Sequence, residues 1–274
     1  MKSVIQWVGG KGKLLEQIHA RLPNNYKTYY EPFLGSGAVL LSLTPSHAVC
    51  GDMNENLVFL FNTIRANAAG FISELRKLRR KMIRHPDHET FYYQMRARFN
   101  EQKTPTVAKM AVFMYLNRNC FNALYRENKD GAFNVPYGKQ YRPDFFDVED
   151  ILRVSEYLVK NKVRVDHQSY TETLKRVSKG DFVFLDPPYI KQSEGALTQY
   201  VKEGFSMDDQ VRLAALCREL DKKGAYVMIT NSDNRIVRKL YKGFNIKGHK
   251  TNMNLNRDAA NRKKSYKEVI ITNY

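Results

Sequence analysis

Cysteine is scarce: Cys50, Cys120 and Cys217 are the only three in 274 residues. Their wide spacing excludes a disulfide framework and any Cys-x-x-Cys metal knuckle. Long apolar runs are missing as well. A charge interrupts each run before it could span a bilayer, and mean hydropathy is −0.54. The opening MKSVIQWVGGKGK holds no apolar segment of the kind a secretory signal needs. A reducing cytoplasm is therefore expected, with no membrane partner. Internal repeats and low-complexity tracts are absent. Acid is in short supply: 28 Asp and Glu face 45 Lys and Arg, giving +17 and a pI near 9.7. Such an excess favours a polyanionic partner, nucleic acid first.

The positive charge is uneven. Between Arg235 and Glu268 stand eleven basic residues against two acids, Asp258 and Glu268. A second cluster, Arg76, Lys77, Arg79, Arg80, Lys81 and Arg84, falls on an expected helix. There Phe71, Ile72, Leu75, Leu78, Met82 and Ile83 mark the apolar face of a 3.6-residue period.

Strand-like and helical runs alternate. Strands are predicted at 26–32, 48–52, 162–166, 181–186 and 225–231. Helices are predicted at 37–43, from about Glu55, and at 171–178 and 207–222, the last capped by Ser206 and stopped by Gly224. Alternation of this kind implies a mostly parallel α/β sheet. The runs GFNIKGHK and SYKEVIITNY have no helix between them and predict a closing antiparallel hairpin. Residues 55–145 break the rhythm and read as a mainly helical insertion.

Three motifs carry chemistry. Asp186-Pro187-Pro188-Tyr189 follows a buried-looking strand, so it lies at the carboxyl end, where open α/β sheets bind ligands. Two prolines forbid further ladder bonds and fix an extended turn. The turn presents a carboxylate, a carbonyl without a ladder donor and a phenol ring, which together suit a planar ring bearing an exocyclic amine. Glu31-Pro32-Phe33-Leu34-Gly35-Ser36-Gly37 joins the first strand to its helix, and its small residues let backbone approach a ligand closely. Asp52 ends the next strand, where an acid can accept from ribose hydroxyls. Gly9-Gly10-Lys11-Gly12-Lys13 lacks the spacing of a phosphate-binding P-loop. His85-Pro86-Asp87-His88 is a poor metal pair, since Pro86 breaks any helix that would align it, and no metal is expected.

In this order the motifs resemble the Dam-like (D12 class, α group) DNA N6-adenine methyltransferases over essentially the whole chain. The resemblance also includes Trp7-Val8-Gly9-Gly10-Lys11, Asn117-Arg118 with Phe121-Asn122, Phe133 to Gly138, and Glu268 to Tyr274. It implies a seven-stranded, Rossmann-like sheet with a reversed terminal strand, formed by 1–54 and 146–274, and a DNA target-recognition domain at 55–145. It implies S-adenosyl-L-methionine as cofactor and duplex DNA as partner, with the enzyme acting as a monomer. Trp7, Gly10 and Lys11 would hold the cofactor's amino-acid end, Phe33, Gly35, Ser36 and Gly37 the loop beneath it, and Asp52 the ribose. Ser169 and Tyr170 would meet the cofactor's adenine, with Ser169 where many relatives have an acid.

By the same resemblance, Asp186, Pro187, Pro188 and Tyr189 receive a flipped-out adenine, with Asp186 also touching the cofactor. Phe121 and Asn122 would enter the duplex, Arg126 would read a guanine and Pro136 would contact a base. Arg96, Arg118, Asn128 and Asn134 would contact phosphates. Gln6 stands where some relatives carry a guanine-reading lysine, and Gln140 where some carry tyrosine. Arg126 thus implies the inner part of GATC and leaves its outer base open. The resemblance covers partners of restriction nucleases, solitary enzymes and phage enzymes alike. Two alternatives remain: an RNA adenine-N6 methyltransferase, and a non-catalytic DNA-binding protein on the same fold.

Overall fold

The computed structural model describes residues 1–189, 205–252 and 265–274. Among them are seven strands: β1 Tyr29–Glu31, β2 Ala48–Asp52, β3 Arg164–His167, β4 Phe182–Leu185, β5 Tyr226–Ser232, β6 Asn245–Asn252 and β7 Ser265–Thr272. The helices are α1 Leu15–His19, α2 Ala38–Leu43, α3 Glu55–Arg84, α4 His88–Glu101, α5 Val107–Asn119, α6 Val148–Lys160, α7 Tyr170–Leu174, α8 Met207–Lys222 and α9 Arg235–Leu240.

Hydrogen bonding orders the sheet β3-β2-β1-β4-β5-β7-β6. Neighbours from β2 to β5 run parallel, and β7 is antiparallel to both β5 and β6. The expected α/β class and closing hairpin are thus present. β1 and β4 lie side by side, Tyr29 opposite Phe182 and Tyr30 opposite Val183. Strand order reverses between them, which makes their carboxyl ends the switch point where such sheets bind ligands.

The chain groups into two compact units. One comprises Met1–Leu15, Leu34–Ser46 and Gly51–Gln168; the other comprises Glu16–Phe33, His47–Cys50 and Ser169–Tyr274. In the second, all four residues of β4 are buried, as a strand covered on both faces requires. Leu213, Cys217 and Leu220, at i, i+4 and i+7 of α8, join Val183, Leu185, Val227, Ile229, Val269 and Ile271 in one core. Each large aliphatic or aromatic side chain buried there contributes about 1.5–3 kcal/mol. Ser206 and Asp209 form a reciprocal capping box at the start of α8, and Gly224, at φ +78°, turns the chain out of it.

In the first unit α5 is buried from Met110 to Leu116, the pattern of a helix enclosed on all sides. α3 packs against α5, α6 and β3, and α4 against α5. This packing groups α6 and β3 with the helical segment.

Several boundaries differ from expectation. β1 is shorter than 26–32, and α7 stops at Leu174, where the chain enters a turn with the Val177 amide donating to the Leu174 carbonyl at 3.2 Å. α3 breaks at Asn67, whose side chain accepts from the Gly70 amide at 2.9 Å and starts the second segment. Ile83, expected on the apolar face, is 50% exposed. Met82 takes the inward position of that last turn, and Ile83 lies about 100° further round.

Candidate active site

The turn after β4 is built from three elements of its own unit. Leu185 pairs with Ile229 in the parallel register, which brings Asp186 and Thr230, the next residue of each strand, together. The Thr230 hydroxyl donates to Asp186 Oδ1 at 2.7 Å. Two residues on, the Pro188 carbonyl accepts from Gln210 Nε2 of α8 at 2.7 Å. Gln210 is buried, and its Oε1 accepts from the Asn231 amide at 3.4 Å. Among the described residues no side chain or amide donates to the Pro187 carbonyl. Burial pushes the Tyr189 phenol well above its ordinary pKa, and the charges of Asp186 and of Glu268 on β7 push it further. The ring therefore stays a neutral phenol at every physiological pH.

Phe33, immediately after β1, stacks on Tyr170 with centroids 5.4 Å apart and 23° between planes. Phe205 meets both rings at 5.7 Å. Ser169 caps α7 by accepting from the Glu172 amide at 3.3 Å, and its hydroxyl is 2.7 Å from that of Thr171.

The glycine loop is organised by Asp52 within the other unit. One carboxylate oxygen accepts from the Gly35 amide and the other from the Asn54 amide, each at 2.8 Å. Desolvation raises the Asp52 pKa above the usual carboxylate range, and these two bonds only partly offset it. Gly35 adopts φ +51°, and a Cβ there would stand 3.1 Å from Trp7 Cδ1. A Cβ on Gly10 would meet the Trp7 carbonyl, also at 3.1 Å. Trp7 stacks on Tyr125 at 5.3 Å. Lys11 is buried with its ammonium donating to the Gly9 carbonyl, and Ser36 is buried with its carbonyl accepting from Ser3. Gly37, at φ +65°, closes the turn by donating to the Leu34 carbonyl at 2.8 Å.

The residues expected to meet DNA lie in this same unit. Phe121 is half-buried; Asn122 beside it is exposed in a left-handed conformation, φ +54°. Arg126 Nε donates to Asn134 Oδ1 at 2.7 Å, so Asn134 orients the arginine. Asn128 Oδ1 accepts from the amides of Asp130 and Ala132 and closes the turn. Arg96 donates to the Val135 carbonyl at 3.2 Å and lies over the Tyr93 ring. Arg118 donates to the Val4 carbonyl at 2.9 Å. Pro136 and Gln140 are exposed, Gln140 bonded to Arg142. The Gln6 side chain is exposed, while its backbone exchanges two bonds with the amide of Asn117.

Sequence reasoning missed Thr230, Gln210, Glu268 and the orienting roles of Asn117 and Asn134. Only strand register and helix facing reveal them. Of the carboxyl-terminal basic run, Arg257, Arg262, Lys263 and Lys264, with Asp258, lie outside the described residues. His85 accepts from the Asp87 amide, Asp87 caps α4, and His88 stacks on Tyr141 at 4.1 Å, so this stretch has a local structural role. Among the described residues no group of three or more His, Cys, Asp or Glu side chains could hold a metal. No helix among them is long and apolar enough to cross a membrane.

A family model described as D12 class N6 adenine-specific DNA methyltransferase matches residues 7–255. The type II methyltransferase M1.LlaDCHI of Lactococcus lactis subsp. cremoris is 36% identical, covering 100% of this chain and 96% of its own length. The type II methyltransferase M.MjaIII of Methanocaldococcus jannaschii is 37% identical, covering 100% and 99%. A DNA adenine methylase of Vibrio cholerae is 32% identical, covering 96% and 93%. An rRNA methyltransferase of known structure, aviRa from Streptomyces viridochromogenes, aligns at TM-score 0.35 and 14% identity over 94% of this chain and 82% of its own. That likeness is too low to bear on substrate.

Proposed function

Given that the chain belongs to the D12 class N6 adenine-specific DNA methyltransferases, we propose that it transfers the methyl group of S-adenosyl-L-methionine to N6 of a flipped-out adenine in GATC. The observation that carries this reading is the turn at Asp186: an acceptor carboxylate fixed by Thr230, an open Pro187 carbonyl and a neutral phenol at Tyr189.

The loop residues fit the cofactor. Asp52 accepts from the Gly35 and Asn54 amides, and a carboxylate's roughly four acceptor sites leave room for a ribose hydroxyl. Gly10 and Gly35 let the loop backbone pack closely on Trp7, where a Cβ at either position would come within 3.1 Å. Trp7, Lys11, Ser36 and Gly37 line the amino-acid end in this reading, and Ser169 and Tyr170 take the adenine. When bound, S-adenosyl-L-methionine supplies an electrophilic sulfonium methyl.

The chain's own residues do the rest. Extruding the target base costs roughly a few kcal/mol, and Phe121 with Asn122 fills the gap it leaves. Asp186 and the Pro187 carbonyl accept the two N6 hydrogens and draw the nitrogen toward a tetrahedral shape, with its lone pair free for in-line attack. Tyr189 stacks on the ring, and Pro188 keeps the turn rigid. With the cofactor held by the glycine loop and Asp52, its methyl group would pass to N6 as the C–S bond is given up, and Asp186 would take the surplus N6 proton. Fixed alignment and electrostatics supply the rate. Residues 55–145 serve as the target-recognition domain. Arg126 reads guanine, Gln6, Pro136 and Gln140 line the base-contacting surface, and Arg96, Arg118, Asn128 and Asn134 support the backbone.

Single-molecule sequencing of DNA treated with the purified protein tests this reading. N6-methyladenine confined to GATC is the expected result, and another sequence context overturns the specificity. Methyl transfer to rRNA in preference to duplex DNA would favour the RNA alternative, and no cofactor-dependent labelling the non-catalytic one.

A further inference from the structure

We propose that a cationic cleft formed by α3, α4 and α5 is a second DNA-backbone site, which takes successive phosphates of duplex lying outside the recognised sequence. The cleft has a volume of about 260 Å³ and is lined by Lys77, Arg80, Lys81 and Arg84 of α3 and by Arg98 of α4. Ala108 and Ala111 of α5 floor it, and their small size leaves the space open.

The charges there are largely uncompensated. Glu74 accepts from Lys77 at 2.7 Å, but no carboxylate of the described residues lies within ion-pair distance of Arg80, Lys81, Arg84 or Arg98. Like charges at i, i+3 and i+4 work against a helix, so the arrangement costs the free protein stability that a bound anion would restore. Lys77 and Arg84 stand about 10 Å apart along the helix axis at 1.5 Å per residue. That reach exceeds the 3.4 Å of axial rise per phosphate of one strand several times over, so the stripe spans more than one phosphate. A single small anion would call for convergent charges, not a stripe.

The cleft is separate from the recognition turn. Arg96 and Asn100 on α4 bond the carbonyls of Val135 and Phe133. Arg98 lies about 200° round the helix from Arg96 and faces the cleft instead. This inference rests on the duplex substrate proposed above, and it concerns residues to which no part in methyl transfer has been given.

The test compares the full chain with its Arg80→Gln, Lys81→Gln, Arg84→Gln variant, all three positions being exposed. Binding is measured over a salt series on a short duplex holding one target site and on a longer one with the same centre. Wild type should bind the longer duplex more tightly. The variant should lose that advantage, its log K against log salt slope falling by about 0.9 per lost phosphate, while short-duplex binding and methyl transfer stay unchanged. A variant that keeps the length advantage, or loses equally on both duplexes, overturns the proposal. So does an equal loss in a Lys160→Gln, Lys222→Gln, Lys223→Gln control, which removes the same charge just before β3 and β5. Thermal protection of wild type by inorganic pyrophosphate without length dependence would assign the cleft to a free phosphate ligand and overturn the backbone reading. Methylation of the short duplex reports separately on the proposed function.

Discussion

Thr230 and Asp186 are 44 residues apart, yet the threonine hydroxyl donates to the aspartate carboxylate at 2.7 Å from a fully buried position. The bond fixes which way the carboxylate points at the mouth of β4. It makes Thr230 a positioning residue for the group expected to grip the target amine.

Thr230→Val keeps the shape and removes the donor. A hydrogen bond to a charged group contributes about 1.5–3 kcal/mol, which corresponds to a fall in kcat of roughly 10- to 150-fold. Steady-state transfer of tritiated methyl should show this fall with KM for cofactor little changed. Thr230→Ser should restore most of the rate, because it restores the hydroxyl. A valine variant with wild-type kcat would remove Thr230 from the account.

Gly35→Ala forces a Cβ into a left-handed position 3.1 Å from Trp7. Such strain costs about 1–3 kcal/mol, so the melting temperature should drop by several degrees. Trp7 is the only tryptophan in the chain, and its fluorescence therefore reports on the loop. Titration with sinefungin should change that emission in wild type and leave it nearly unchanged in Gly35→Ala.

Asp52 gives a pH signature. Burial raises its folded pKa, so the native state holds this proton more tightly than the unfolded chain does. The resulting stabilisation is full below the unfolded value, about 3.9, and is lost as pH rises through the raised folded value. Asp52→Asn carries no charge at any pH and still offers an acceptor to Gly35. Its melting temperature relative to wild type should therefore climb between pH 4 and pH 7, while cofactor affinity falls. A difference independent of pH would show that Asp52 is not the titrating group.

Arg126 is oriented by Asn134 through its Nε, which leaves the outer edge of the guanidinium to reach a base. Arg126→Gln should lose about 1–3 kcal/mol of discrimination at one guanine, a relaxation of roughly 5- to 150-fold. Asn134→Ala should reduce the same discrimination more weakly. Competition between duplexes substituted one base at a time gives both values.

How far the sequence could be read depended on the range of the interactions involved. Asp52 closes β2 and Ser206 caps α8, as local pattern indicated. Asp186 follows β4 for the same reason, since a strand's end and a double proline are written within a few residues. Ile83 is exposed despite its place in the apolar period, because periodicity says which side of a helix a residue takes, not whether a neighbour covers its last turn. Gln210 lies 22 residues from the carbonyl it binds, and Asn117 lies 111 residues from Gln6.

The sequence by itself determined the α/β alternation, the closing hairpin, the glycine loop and the proline turn, together with the family they mark. Each is encoded by neighbours along the chain: hydrophobic period, caps and residues with restricted or permissive backbones. Only the tertiary structure decided that Thr230 holds Asp186, that Gln210 braces Pro188, that Asn134 aims Arg126 and that five cations gather over α5. Those relationships depend on strand register and helix facing, which many weak distant contacts set together and no short stretch of sequence specifies.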